Sequence, residues 1–210
     1  MTRLLPHRPD AAADLATFAR RVARFDAEAV IRVVAVGRVA GFFADTPFDA
    51  LALRAVALSV PTSLDVVVEA GTLAARAVGA QGELELPPPV PALRWTSSLP
   101  PRSGWSELST LPGSKVAAVV ASGVDEFRRR SPEVTAGLAR REGRAALERL
   151  AADIWNRELV AGVPIRLAHA ADSYGFLAPD DVVLRSAGPW LRLDAPHGSI
   201  LARTGLPLFA

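Results

Sequence analysis

Apolar residues recur at helical spacing in residues 11 to 26, AAADLATFARRVARFD, where Leu15, Phe18 and Val22 form one stripe and Arg20, Arg21 and Arg24 lie off it. That period predicts an amphipathic helix. The next stretch, AVIRVVAVGRVAGFFA, is dense in β-branched residues and interrupted by Gly37 and Gly41, which predicts a hairpin or two short strands. DALALRAVALSVPTSLDVVVEAG predicts two more strands about a turn at Pro61, Thr62 and Ser63, with a helix from about Ala70 to Val78 behind them. Helical spacing returns after Pro112 and Gly113. Val116, Val119, Val120 and Phe127 mark a helix ending near Arg130, and Leu138, Leu147, Leu150, Ile154 and Trp155 mark the buried side of a longer one over 134 to 158. A third begins at Gly162, Val163 and Pro164 and stops at Gly175, since proline suits a first helical turn and glycine a C-terminal cap. DVVLRSAGPWLRLDAPHGSILART alternates in three short runs, the pattern of a β-meander.

The order of elements predicts an α+β fold. It comprises an N-terminal half of mixed helix and antiparallel strands over 1–85, a proline-rich connector over 86–113, and a C-terminal half over 114–210. That last half has three helices, a meander and an apolar tail, in winged-helix-like order. Six prolines in LPPPVPALRWTSSLPPRSGW remove N–H donors and bias this stretch to polyproline II. A swinging linker would be glycine and serine without large apolar groups. Here Trp95, Leu99, Trp105, Leu108 and Leu111 are interleaved with the prolines and their surroundings. An ordered connector is therefore expected, pinned by its tryptophans, with Arg102 able to stack on one of them. The alternative is an exposed binding surface centred on Arg102 and Trp105, the residue types that dominate interface hot spots.

Composition narrows the function classes. The chain has 210 residues, half of them apolar, which excludes a disordered protein. It contains no cysteine, so disulfides, thiolate metal sites and thiol nucleophiles are excluded and a cytoplasmic location is expected. MTRLLPHRPD has no apolar signal core, and the most hydrophobic run, Ala29 to Ala44, is interrupted by Arg32 and Arg38, so neither export nor a membrane span is expected. The isoelectric point of 9.9 reflects a net charge of only +2 with Lys115 the sole lysine and Tyr174 the sole tyrosine. Few groups titrate between neutral and strongly basic pH, so it carries no nucleic-acid signal.

The chemistry-bearing motifs are absent. There is neither a Walker loop nor a G-x-G-x-x-G between strand and helix, so no cofactor is expected. The histidines, His7, His169 and His197, have no metal-ligand spacing, so no metal is expected either. No G-x-S-x-G is present, and His169, Asp172 and Ser173 on one helix splay apart. A small hydrolase or transferase using His169 or His197 as base is one alternative function. A winged-helix DNA binder is the other, although its third helix would offer Arg166 as its one firm cation, where phosphate contacts need several. The second helix balances Arg144 against Glu148 and Arg149 against Asp153 at i,i+4 spacing.

Two short stretches resemble known families. LPPRSGW at 99–105, with GF at 175 and PW at 189, resembles a pattern of high-GC actinobacterial proteins to which no activity is attached. The tail RTGLPLFA resembles the segment by which replication and repair proteins bind the bacterial sliding clamp, glutamine, leucine, any residue, leucine, phenylalanine. That resemblance implies Leu206, Leu208 and Phe209 as anchors, with Gly205 where the pattern has glutamine. Together these features predict a non-catalytic protein-interaction or regulatory module. A protein partner or homo-oligomer is expected, a sliding-clamp-type partner at the tail is the specific form the resemblance implies, nucleic acid is the less favoured partner, and no membrane is involved.

Overall fold

The computed structural model describes residues 2–77 and 82–204, and the chain divides into two units between Arg102 and Ser103. The fold class is α+β, with antiparallel strands throughout.

The first unit contains β1 (Arg3–Leu4), α1 (Ala11–Phe25), β2 (Val30–Thr46), β3 (Ala50–Glu69), α2 (Ala70–Arg76), β4 (Leu84–Glu85) and a 3-10 turn at Ala92–Arg94. Helix α1 buries the stripe read from its sequence, Leu15, Phe18 and Val22, and packs on α2 and on the hairpin. The four short strands expected between residues 29 and 69 are instead one hairpin of 17- and 20-residue strands. Gly37 and Pro61, read as breakers, lie at an irregularity within it. Gly37 pairs with Thr62 and Val39 with Ala57, so residues 58–61 oppose Arg38 alone. The bulge solves a problem of parity. Ile31, Val33 and Ala35 are buried before it and Ala40, Phe42 and Ala44 after it, an odd-to-even switch that would turn the second triplet to the other face of a regular strand. Gly37 has φ of 62°, the left-handed conformation that glycine adopts without penalty. Residues 5–7 brace the irregular part of β3: the His7 N–H donates to Ala57 O at 2.8 Å and the Ser59 N–H to Leu5 O at 2.8 Å.

Residues 86 to 97 are tied to this unit at several points, the Leu86 N–H donating to Thr2 O at 3.0 Å. The Val90 N–H donates to Val67 O at 2.8 Å. Trp95 is buried with its Nε1 donating to Ser97 O at 2.6 Å.

The second unit contains β5 (Ser106–Leu111), α3 (Gly113–Thr135), α4 (Arg140–Trp155), β6 (Glu158–Val160), β7 (Val163–Pro164), α5 (Ile165–Ser173), β8 (Val182–Ala187), β9 (Trp190–Ala195) and β10 (Gly198–Arg203). The expected meander is β8, β9 and β10, and β5 extends it by pairing with β8. Helix α5 packs on β9 and β10 and against α3 and α4. Leu167, Leu184, Leu193, Ile200, Tyr174 and Phe176 form the buried centre. Helix α3 runs past the expected end at Arg130 because Pro132 is accommodated inside it. Leu138, expected on the buried side of α4, is exposed in the turn before that helix.

The winged-helix expectation fails on burial. Along α5, Asp172 alone is exposed, whereas a recognition helix needs a free face for the groove. The strands that would have formed a wing, β8, β9 and β10, pair side by side in one antiparallel sheet, and that same helix packs on β9 and β10.

Candidate functional site

The two connector residues singled out by sequence lie in different units. Arg102 is exposed at the end of the first unit. The Asp65 carboxyl is held below its usual range chiefly by Arg32, whose Nε and Nη2 donate to it at 2.9 and 2.8 Å, with the charge of Arg102 adding to the effect. Trp105 is half-buried in the second unit, and the guanidinium over its ring is that of Arg192, 5.6 Å from the centroid, not that of Arg102. Sequence distance hid this partner, because β9 comes beside β8, one strand away from β5, only after the helices.

Arg192 belongs to a polar cluster on the face of β8, β9 and β10 that alternates away from the buried leucines. Its Nε donates to Asp194 Oδ1 at 2.6 Å, Ser199 Oγ donates to the same oxygen at 2.5 Å, and Arg185 donates to Oδ2. The cluster sets two arginines on one carboxylate, a surplus of one positive charge, and ties the three strands together on one face.

Two strands present open edges. Among the described residues, β2 pairs within its unit with β3 alone, and β5 pairs with β8 alone. Beside the bulge, Val36, Val39 and Val60 are 52, 53 and 50% exposed. Natural sheets blunt such an edge with proline, charged side chains, β-bulges or covering structure. Strand β2 contains no proline or lysine, and carries Arg32, Arg38 and the bulge at Gly37.

The two candidate bases, His169 and His197, sit in different settings. His169 is half-buried and stacks on Trp155, with centroids 3.9 Å apart and planes 3° from parallel. Burial lowers its proton affinity, and Asp172 opposes that effect in part. His197 is exposed in the turn between β9 and β10. Among the described residues no three metal-ligating side chains converge, and no helix is long and apolar enough to cross a membrane.

Between α3 and α4 an ion network replaces the pair expected between Arg149 and Asp153. Arg157 donates to Glu126 at 2.6 and 2.9 Å, Arg130 donates to it at 2.8 Å, and both arginines reach Asp153 at 3.1 Å. Arg157 first and Arg130 second hold the Glu126 carboxyl down to about 2. The expected pair of Arg144 and Glu148 is present at 3.0 Å. Among the described residues, two grooves lie each within a single unit. One of 360 Å³ lies between α3 and α4 over Val134, Ala146 and Leu150. The other, of 460 Å³, lies in the first unit between the end of α1 and the β2–β3 turn. Neither histidine lines them. The tail anchors Leu206, Leu208 and Phe209 lie outside the described residues.

Residues 100–207 match the family described as "Domain of unknown function (DUF8185)" and residues 1–97 the family described as "Domain of unknown function (DUF8010)". No curated protein matches the chain. Among solved structures it is similar to the DNA polymerase III subunit beta of Pseudomonas aeruginosa, with a TM-score of 0.52 and 11% identity over 100% of this chain and 66% of that one. It is similar also to the DNA polymerase sliding clamp of Caulobacter crescentus, with a TM-score of 0.54 and 13% identity over 100% of this chain and 67% of that one. At such identity the likeness is one of fold, and the chain spans about two thirds of the length of those clamp subunits.

Proposed function

The chain belongs to the DUF8185 family, and on that premise we propose that it is a non-catalytic cytoplasmic interaction module that self-associates by strand addition on a clamp-like fold. The observation that carries this reading is the open edge of β2, 17 residues long and bordered by the exposed Val36 and Val39. An unpaired edge of that length supplies main-chain donors and acceptors for a second strand, and alternate side chains beside it supply selectivity. The β2 edges of two copies pair across a two-fold contact that closes at a dimer, and the valines at the bulge bury apolar area when it forms.

Arg102 and Trp105, and the tail residues Leu206, Leu208 and Phe209, are further candidate contacts under this reading, the last three for a sliding-clamp-type partner.

Sedimentation velocity of the full chain over a concentration series tests the proposal. A reversible dimer is expected, shifted to monomer by Val36→Lys with Val39→Lys. Because both side chains are already half exposed, the double variant is expected to keep the thermal midpoint of the parent. A monomer at every concentration, or assembly unchanged in the double variant, overturns it.

A further inference from the structure

The geometry points to the 460 Å³ groove of the first unit as a docking site for a partner-protein segment that carries an arginine or lysine beside a large apolar side chain. The floor is apolar: Val22 and Phe25 come from the end of α1 and Val30 from the start of β2. The rim is acidic: Asp26 and Glu28 lie on one side and Asp45 on the other. The rim's one cation, Arg94, is engaged, since its Nη1 donates to Glu69 at 3.1 Å and its Nη2 to Glu28 O at 2.6 Å. The rim therefore carries three acidic residues against one arginine, and that arginine is bound to Glu69 and to the Glu28 main chain.

The walls are built rather than fortuitous. Asp26 Oδ1 accepts the Glu28 N–H at 2.9 Å, and Asp45 accepts the Ser97 hydroxyl, which fixes one carboxylate on each side. The Phe25 ring is held edge-on against Phe48, with centroids 5.9 Å apart and planes at 82°. Phe25 is 40% exposed and its ring already holds the Arg24 guanidinium 5.4 Å from its centroid, the contact that an incoming cation would repeat. A cationic side chain meets the rim while its apolar neighbour covers the floor, the complementarity that selects one charge class of partner over the other.

The site deepens the reading of an interaction module but does not depend on strand addition at β2. The test uses the full chain and two fluorescein-labelled hexapeptides, Leu-Arg-Pro-Leu-Arg-Phe and its counterpart with glutamate for arginine, read by anisotropy and by amide chemical-shift mapping. The basic peptide is expected to bind, with shifts centred on Phe25, Val30 and Thr46, and the acidic one not to bind. Asp26→Asn, Glu28→Gln and Asp45→Asn together are expected to weaken the basic peptide roughly tenfold, the sum of three partly exposed ion pairs. Equal binding of both peptides, binding of neither, shifts that map elsewhere, unchanged affinity in the triple variant, or displacement by spermine as effective as by unlabelled peptide would each overturn the site. Sedimentation separates the two proposals, because peptide binding by a strictly monomeric chain rejects strand addition and leaves the groove standing.

Discussion

At the scale of single residues, close approach decides what can be changed. A Cβ on Gly113 would lie 2.0 Å from Ala178 O and 2.3 Å from Asp180 O, both backbone atoms that cannot rotate away. Gly113→Ala is expected to destabilise the chain by about 3 kcal/mol, the upper part of the overpacking range, read as a fall in the urea midpoint. Gly71 in α2 is the counterexample: nothing lies within 4 Å of its added Cβ and its φ is not positive. Gly71→Ala is expected to stabilise by about 0.4–1 kcal/mol through the unfolded chain. Glu126 carries a pH prediction. Its folded pKa is depressed from 4.5 to about 2 by Arg157 and Arg130, so the network's support is complete above pH 4.5 and lost as pH falls toward 2. The thermal midpoint of the parent should fall through that window more steeply than that of Glu126→Gln. His169 acts in the same sense at higher pH. Burial favours its neutral form, so its contribution is complete above the ordinary value of 6.5 and declines as pH falls below it. Sequence marked His169 as a candidate base and Gly113 as a helix start, but not the effects at Gly113 and Glu126, which arise from atoms distant along the chain.

Among the elements, the β2–β3 hairpin is the instructive case. Its β-branched content identified strands, but Gly37 and Pro61 suggested ends where the chain continues. A paired strand tolerates an irregularity when its neighbour and the residues beside it supply the missing hydrogen bonds, as residues 5–7 do here. The parity of buried positions, Ala35 to Ala40, was the available signal of a bulge. Because Gly37 sits at φ 62° with open space around it, Gly37→Ala is expected to cost about 1–2 kcal/mol from backbone strain alone, without a packing clash. Equilibrium unfolding checks the amount, and a loss much greater than this would show that the position packs. The helices were more legible than the strands. The stripe of Leu15, Phe18 and Val22 defined α1, while the ends of α3 and α4 shifted because Pro132 is absorbed and Leu138 falls in the turn.

For the whole molecule, the consequence is how copies and partners meet it. Assembly through β2 is expected to make amide exchange in residues 32–40 slow with rising protein concentration, while amides of α5, buried in either state, remain unchanged. Exchange in β2 that is independent of concentration counts against assembly there. The candidate surfaces were only partly legible. Arg102 and Trp105 were recognised as interface residue types, yet the cation on Trp105 is Arg192, and the acidic groove escaped notice because α1, the hairpin turn and the 3-10 turn that line it are separated along the chain.

Periodicity and composition by themselves determined the α+β class, the apolar stripe of α1, the meander and the absence of thiol chemistry, because each depends on residue type and on spacings of two to four residues. Tertiary structure alone decided that four strand runs are one hairpin, that the third helix of the second unit is too buried to read DNA, that Arg192 covers Trp105, and that three carboxylates rim one aromatic groove. Those outcomes depend on pairing and burial between residues tens of positions apart, which local pattern does not encode.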